Sequence, residues 1–184
     1  MHKRFVKSGG FTIVELLIVI VVIGILAAIV IVAFNGVQQR AGNSSRLTEL
    51  RGWEKHYKAY AAQEGKYPEL PAAQMGQNFC IGTGFPDQNG DGLGDCRDLG
   101  TDATRHSENP TLIAELKKVG TLPGGPREVP VRGAGLGPFV NHSTNGTVRL
   151  TAVLAGTECP DWTEPGYTYP AGARMCAIVL PAVR

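Results

Sequence analysis

Glu15 is the residue whose setting most demands chemistry. It stands at the edge of residues 16–34, a run of 19 residues without a charge. An ionisable side chain at the border of an apolar span is costly and calls for a partner. A cut between Gly10 and Phe11 would supply one, because it creates an α-ammonium four residues, about one helical turn, before Glu15. In a packed array the ammonium of one subunit would neutralise Glu15 of a neighbour. That pair would set the axial register, while apolar helix faces supply the bulk of the contact.

The surrounding elements fit that chemistry. Residues 1–10 are short and basic, with Lys3, Arg4 and Lys7. Residues 16–34 would form roughly 28 Å of helix, which matches a hydrocarbon core of ~30 Å. Gly24, Ala27 and Ala28 are small enough to let a neighbouring helix approach. The basic leader would stay on the cytoplasmic side, leaving the rest outside. A secretory signal would place its small-residue cleavage site after an apolar stretch of ~7–15 residues. Here the stretch is longer, and Gly9-Gly10 lies before it. A plain signal anchor has no use for Glu15.

Gly9-Gly10-Phe11-Thr12-Ile13-Val14-Glu15-Leu16-Leu17-Ile18-Val19 resembles the type III signal of type IV prepilins and pseudopilins. The resemblance implies that a membrane aspartic peptidase cuts after Gly10, that the same enzyme N-methylates Phe11, and that Glu15 is required for efficient assembly. It also implies self-association into a helical filament driven by inner-membrane assembly machinery. Many family members carry a proline where this chain has Val32, so one source of a kink is missing.

Residues 35–63 continue the helix. Leu47, Leu50, Trp53, Tyr57 and Tyr60 form a one-sided stripe expected to be core, opposite Arg46, Glu49, Arg51, Glu54, Lys55 and Lys58. Gly36, Gly42 and Gly52 each lower helix propensity by roughly 1 kcal/mol relative to Ala. Gly65 suits a C-cap and Pro68 forbids continuation; Gly-x-Tyr-Pro at this point also resembles pilins and pseudopilins. A helix over residues 11–62 would span ~80 Å. The expected organisation is a leader (1–10), a membrane or filament-core half-helix (11–34), an amphipathic half-helix (35–63) and a globular head (64–184).

The fold class read here is α+β, pilin-like, with the long helix packed on a small antiparallel sheet. Residues 71–105 read as loop. Asn109-Pro110 caps a short helix over 111–119 that Gly120 ends, and 124–137 is an irregular connection. Residues 147–154 alternate as a strand, and Asn145-Gly146 predicts a hairpin to a strand around 137–141. Residues 174–180 supply the last strand of a sheet of three or four.

Cys80, Cys96, Cys159 and Cys176 are an even set, expected outside the cytosol to form two disulfides. Three pairings are possible; Cys80–Cys96 with Cys159–Cys176 is preferred because each pair brackets a turn-rich segment. The second would resemble the C-terminal disulfide loop of many pilins, with Trp162, Tyr167 and Tyr169 placed for surface contacts or for packing beneath the loop. Between the first pair lies Asp87-Gln88-Asn89-Gly90-Asp91-Gly92-Leu93-Gly94-Asp95-Cys96-Arg97-Asp98. Ca²⁺ takes six to eight oxygens from a flexible loop. From Asp87 as position 1, Asn89, Asp91 and Asp95 fall at 3, 5 and 9, Gly92 at 6, the Leu93 carbonyl at 7 and Asp98 at 12, similar to an EF-hand-type loop. It departs from that pattern in having Asp rather than Glu at 12, Gly at 8 and no clear flanking helices. The alternative is a metal-free Asp/Asn/Gly turn cluster.

Composition bounds the rest. The 184 residues carry a formal charge of +2, but without the three leader cations 15 basic residues face 16 acidic ones. Bulk charge therefore gives no nucleic-acid surface. His2, His56, His106 and His142 are scattered and no catalytic motif appears, so no enzyme activity is expected. Sequons occur at Asn43, Asn141 and Asn145. Three readings follow: a type IV pilin used in adhesion, twitching motility or DNA uptake; a pseudopilin of a secretion or competence system; or a monomeric membrane-anchored calcium-binding protein. The expected location is the cytoplasmic membrane, single-pass with the head outside, and then a surface pilus.

Overall fold

The computed structural model describes residues 12–82, 84–87, 90–96, 107–124, 137–170 and 172–183. The chain divides into two compact units, residues 1–38 and 39–184. Helix α1, Ile13–Glu64, contributes to both. In the first unit the large apolar side chains described between Ile13 and Val37 are all exposed. This part of α1 is long and apolar enough to cross a membrane. α1 starts on Thr12 and ends where expected, with the Gly65 amide bonded to the Ala61 carbonyl and Gly65 at a φ of 73°.

In the second unit α1 packs on a five-stranded antiparallel sheet. Its strands are β1 (Asn78–Cys80), β2 (Phe139–His142), β3 (Val148–Ala155), β4 (Glu164–Tyr169) and β5 (Ala173–Leu180), in spatial order β1-β2-β3-β5-β4. The β2–β3 hairpin turns at Asn145-Gly146 as its sequence predicts: Asn145 Oδ1 accepts from the Thr147 amide at 3.1 Å, and Gly146 takes a φ of 82°. Helix α2, Pro110–Leu116, is capped by Asn109, whose side chain accepts from the Leu112 amide at 3.1 Å, and tightens into a 3₁₀ turn over Lys117–Val119 before Gly120.

Two strands depart from expectation. β1 lies inside the stretch read as loop, which also holds a 3₁₀ turn at Ala72–Gln74. With three residues it has no readable alternation; it exists because Asn78, Phe79 and Cys80 pair with Asn141, Val140 and Phe139. β4 contains Pro165 and Gly166, poor strand formers, and is held to β5 across an irregularity between Pro165 and Thr168. It is an edge strand, where proline is tolerated.

The core uses both faces of the sheet. Leu50, Trp53, Tyr57 and Tyr60 of α1 meet Val140, Val148, Leu150, Ile178 and Leu180, with Leu112 and Leu116 of α2 closing the side. Full burial of such a side chain contributes about 1.5–3 kcal/mol. Phe139, Val153, Tyr169 and Ala173 form a second cluster with Phe85, Cys80 and Cys96. The stripe is wider than its apolar residues: Arg46 and Glu49, expected on the solvent face, are 6% and 4% exposed, whereas Leu47 is only half-buried. At about 100° per residue, Arg46 and Glu49 lie on the arc centred on Trp53, whereas Leu47 lies at its flank. Gly52 is a contact point as well as a weak helix former, since a Cβ there would lie 3.2 Å from Pro123 Cβ.

Polar ties fix α1 on the sheet. The Asn43 amide donates to the Ala155 carbonyl at 2.8 Å while its oxygen accepts from the Ala155 amide at 2.9 Å. His56 Nε2 donates to the Leu116 carbonyl at 2.7 Å, and Tyr60 donates to Glu115 at 2.8 Å. The two described histidines are thus buried, not solvated. His142 is 4% exposed, its Nε2 lies 3.3 Å from the hydroxyl of fully buried Tyr57, and burial pushes its pKa down to about 4.

A protonated His142 is tolerated far better by the unfolded chain, so its depressed pKa destabilises the head as pH falls from about 6.5 towards about 4 and has no effect above that window. The full loss is about 3 kcal/mol. Denaturant unfolding of the full chain in neutral detergent should therefore weaken over this range, and His142→Gln should flatten that part of the curve. An identical pH profile in the variant would refute the assignment.

Candidate functional site

The start of α1 is built by Thr12 and Glu15. The Thr12 amide and hydroxyl both donate to Glu15 Oε2, at 2.7 and 2.9 Å, and the Glu15 amide donates back to Thr12 Oγ1 at 3.2 Å. This reciprocal arrangement is a capping box, which satisfies amides that the first helical turn leaves open. Its signal, Thr-x-x-Glu before an apolar run, was readable at 12–15 and adds Thr12 to the site. Glu15 Oε1 takes no hydrogen bond among the described residues. Each carboxylate oxygen has two lone pairs, so Glu15 can hold Thr12 and still accept from a cation outside its own chain. Gly10 and Phe11 lie outside the described residues.

Both disulfides join neighbours in sequence, Cys80 to Cys96 and Cys159 to Cys176, with Cα separations of 5.5 and 5.6 Å. The first closes the acidic segment against the second core cluster. Asp87 Oδ1 accepts from the Gly90 amide at 2.7 Å and Oδ2 from the Gly92 amide at 2.9 Å, while Asp91 Oδ1 accepts from the Leu93 amide at 2.9 Å. Asp87 and Asp91 are exposed and Leu93 is half-buried. Asp95 differs: it is fully buried, and its Oδ1 accepts from the Ser107 hydroxyl at 2.8 Å. Asn89, Asp98 and His106 lie outside the described residues, as does His2. Among the described residues no three His, Cys, Asp or Glu side chains gather as a metal cluster. Glu108, which the sequence reading missed, brings to Gly94 a buried Oε1 that has no hydrogen-bond partner among the described residues.

The second disulfide loop carries Trp162 and Tyr167, 40% and 60% exposed, but Tyr169 is 6% exposed and belongs to the second core cluster. At the end of β4 it pairs with Ala173, which belongs to the same cluster. Of the sequons, Asn43 and Asn141 commit their carboxamides to backbone carbonyls, at Ala155 and at Gly76 and Gln77, whereas Asn145 sits exposed in its turn.

Residues 6–31 match the model of the prokaryotic N-terminal methylation motif. Over 64 residues, 35% of this chain and 29% of the relative, the chain is 36% identical to the type IV major pilin protein PilA of Myxococcus xanthus. Over 60 residues, 33% of this chain and 36% of the relative, it is 38% identical to the type IV major pilin protein PilE1 of Neisseria gonorrhoeae. Over 68 residues, 37% of this chain and 46% of the relative, it is 31% identical to the type II secretion system core protein G of Aeromonas hydrophila. The chain thus spans less than half the length of each of these relatives. No solved structure gives a significant match. The N-terminal third of the chain is thus similar to type IV major pilins and to a type II secretion core protein, and it carries the methylation motif at the start of a long helix that leads into a small antiparallel sheet.

Gly94 is the tightest point of the acidic segment, because a Cβ there would lie 2.8 Å from both the Phe85 carbonyl oxygen and Glu108 Oε1. Gly94→Ala should therefore lower head stability by about 1–3 kcal/mol, as overpacking against backbone does. Denaturant unfolding followed by circular dichroism measures this, and an unchanged midpoint would contradict the packing.

Proposed function

We propose that this chain is a precursor cut between Gly10 and Phe11 by a prepilin peptidase, N-methylated on Phe11, and polymerised as a structural subunit of a type IV pilus. Before assembly it is held in the cytoplasmic membrane by the N-terminal part of α1, with the head outside. The carrying observation is a single carboxylate, Glu15, at the start of a helix whose next 19 residues carry no charge and whose described large apolar side chains from Ile13 to Val37 are exposed. Lipid covers that surface first and neighbouring copies cover it in the filament. The new ammonium at Phe11 of one copy meets Glu15 of the next, using the Oε1 that Thr12 leaves open.

Glu15→Ala should abolish surface filaments while the cleaved subunit still accumulates in the membrane. Electron microscopy of cells with blotting of sheared and membrane fractions reads both. Unchanged filaments would sink the assembly reading and leave a membrane-anchored monomer. Similarity to the type II secretion core protein supports a second reading, a pseudopilin. Filaments confined to the envelope would favour it; long filaments, serving adhesion, twitching motility or DNA uptake, favour the pilin.

The segment 87–98 carries a separate proposal, a weak Ca²⁺ loop of the head using Asp87, Asn89, Asp91, Asp95, Asp98 and the Leu93 carbonyl. Its support is the oxygen spacing, joined by the carboxylate oxygen of Glu108 beside Gly94, which has no hydrogen-bond partner among the described residues. Against full participation stands Asp95, whose carboxylate is buried against Ser107. Calcium at millimolar concentration should raise the melting temperature of the full chain in detergent, and Asp91→Ala should remove the rise. No shift in the unmodified chain would end the calcium reading without touching the filament one.

A further inference from the structure

We propose that the groove between α1 and the Cys159–Cys176 loop binds a tetrahedral oxyanion, phosphate or sulfate. The groove has a volume of about 340 Å³, and Arg40, Ser44, Thr48, Arg51 and Trp162 line it with no carboxylate among its walls. Lys58, Lys66, Lys118 and Arg149 each form an ion pair with a glutamate, at 2.7, 2.7, 2.7 and 2.9 Å. Arg40 and Arg51 form none among the described residues, and both face the same cavity.

The groove is also held in shape. The Arg51 Cζ lies 3.8 Å from the centre of the Trp162 ring. Stacking of this kind occupies the flat face of a guanidinium and leaves the N–H groups in its plane available, the fork that suits an oxyanion. Asn43, also on the wall, ties this turn of the helix to the end of β3 by its two bonds to Ala155. Thr48 Oγ1 donates to the Ser44 carbonyl at 2.8 Å, which orients one hydroxyl, and the Ser44 hydroxyl has no hydrogen bond among the described residues. Two unpaired cations, a free hydroxyl and a stacked ring form a receptor prepared before the ligand arrives, which limits the ordering cost of binding. The site lies wholly within residues 39–184 and does not depend on filament formation.

Trp162 provides the readout, since it is exposed while the other tryptophan, Trp53, is fully buried. The full chain in neutral detergent is titrated with sodium pyrophosphate at constant ionic strength, following tryptophan fluorescence and, independently, heat. A saturable change is expected, with the half-saturating concentration raised roughly tenfold in Arg40→Gln and in Arg51→Gln, the loss of one charge-assisted partner. Sulfate distinguishes the sources: displacement of pyrophosphate at similar concentration assigns any tetrahedral oxyanion, and failure to displace assigns phosphate. Trp162→Phe should lose the optical signal but keep the heat. A response that does not saturate, or that persists unchanged in the Arg40→Gln/Arg51→Gln double variant, is general ionic screening and overturns the proposal.

Discussion

An apolar helix surface, exposed along its described residues, governs this protein. From Ile13 to Val37 the described large apolar side chains face outward, and each would contribute about 1.5–3 kcal/mol on full burial. Such a surface is stable in a hydrocarbon environment or against other helices like itself. Glu15 gives the exchange its direction. A carboxylate is poorly placed inside lipid and poorly placed inside a bundle unless a cation meets it. In the proposed assembly, processing creates that cation only once the leader is gone. The capping box refines this picture, because Thr12 holds the carboxylate in place by one oxygen and leaves the other open.

The head solves the opposite problem, closing its own core on both faces of one sheet. Much of this was legible. The 3/4 spacing of Leu50, Trp53, Tyr57 and Tyr60, the Asn145-Gly146 turn and the Asn109-Pro110 cap are local signals, and local structure obeyed them; the alternation of β3 marked a strand expected to be half-buried, whereas clusters on both faces of the sheet bury it on both sides. What escaped was set by partners distant in sequence. β1 has only three residues and is defined by β2. β4 violates strand propensity and survives at the edge. Arg46, Glu49 and Asp95 are buried charged residues, and nothing in their neighbours along the chain marks them as such.

The candidate sites divide along the same line. Glu15 and its apolar run are consecutive in sequence, so their relationship could be read directly. The acidic segment could be read only as a list of oxygens. Folding turns Asp87 and Asp91 onto backbone amides, sends Asp95 inward to Ser107 and brings Glu108 alongside from beyond the segment. Spacing fixes which residue types are near one another. Which atoms face a common point depends on the disulfide and on the packing of Phe85 and Gly94, neither of which has a periodic signature.

The double bond between Asn43 and Ala155 has a mechanical consequence. Ala155 is the last residue of β3, and β3 is bonded along its length to β5 and along half of it to β2. Tension entering the head through α1 therefore reaches a strand paired on both sides within a few residues of Arg40. There it is carried by several ladder hydrogen bonds at once, with the aromatic packing of Trp53 and Tyr57 further along the same helix as a second line of resistance. A subunit built this way would yield first outside its head, at the unsupported part of the helix.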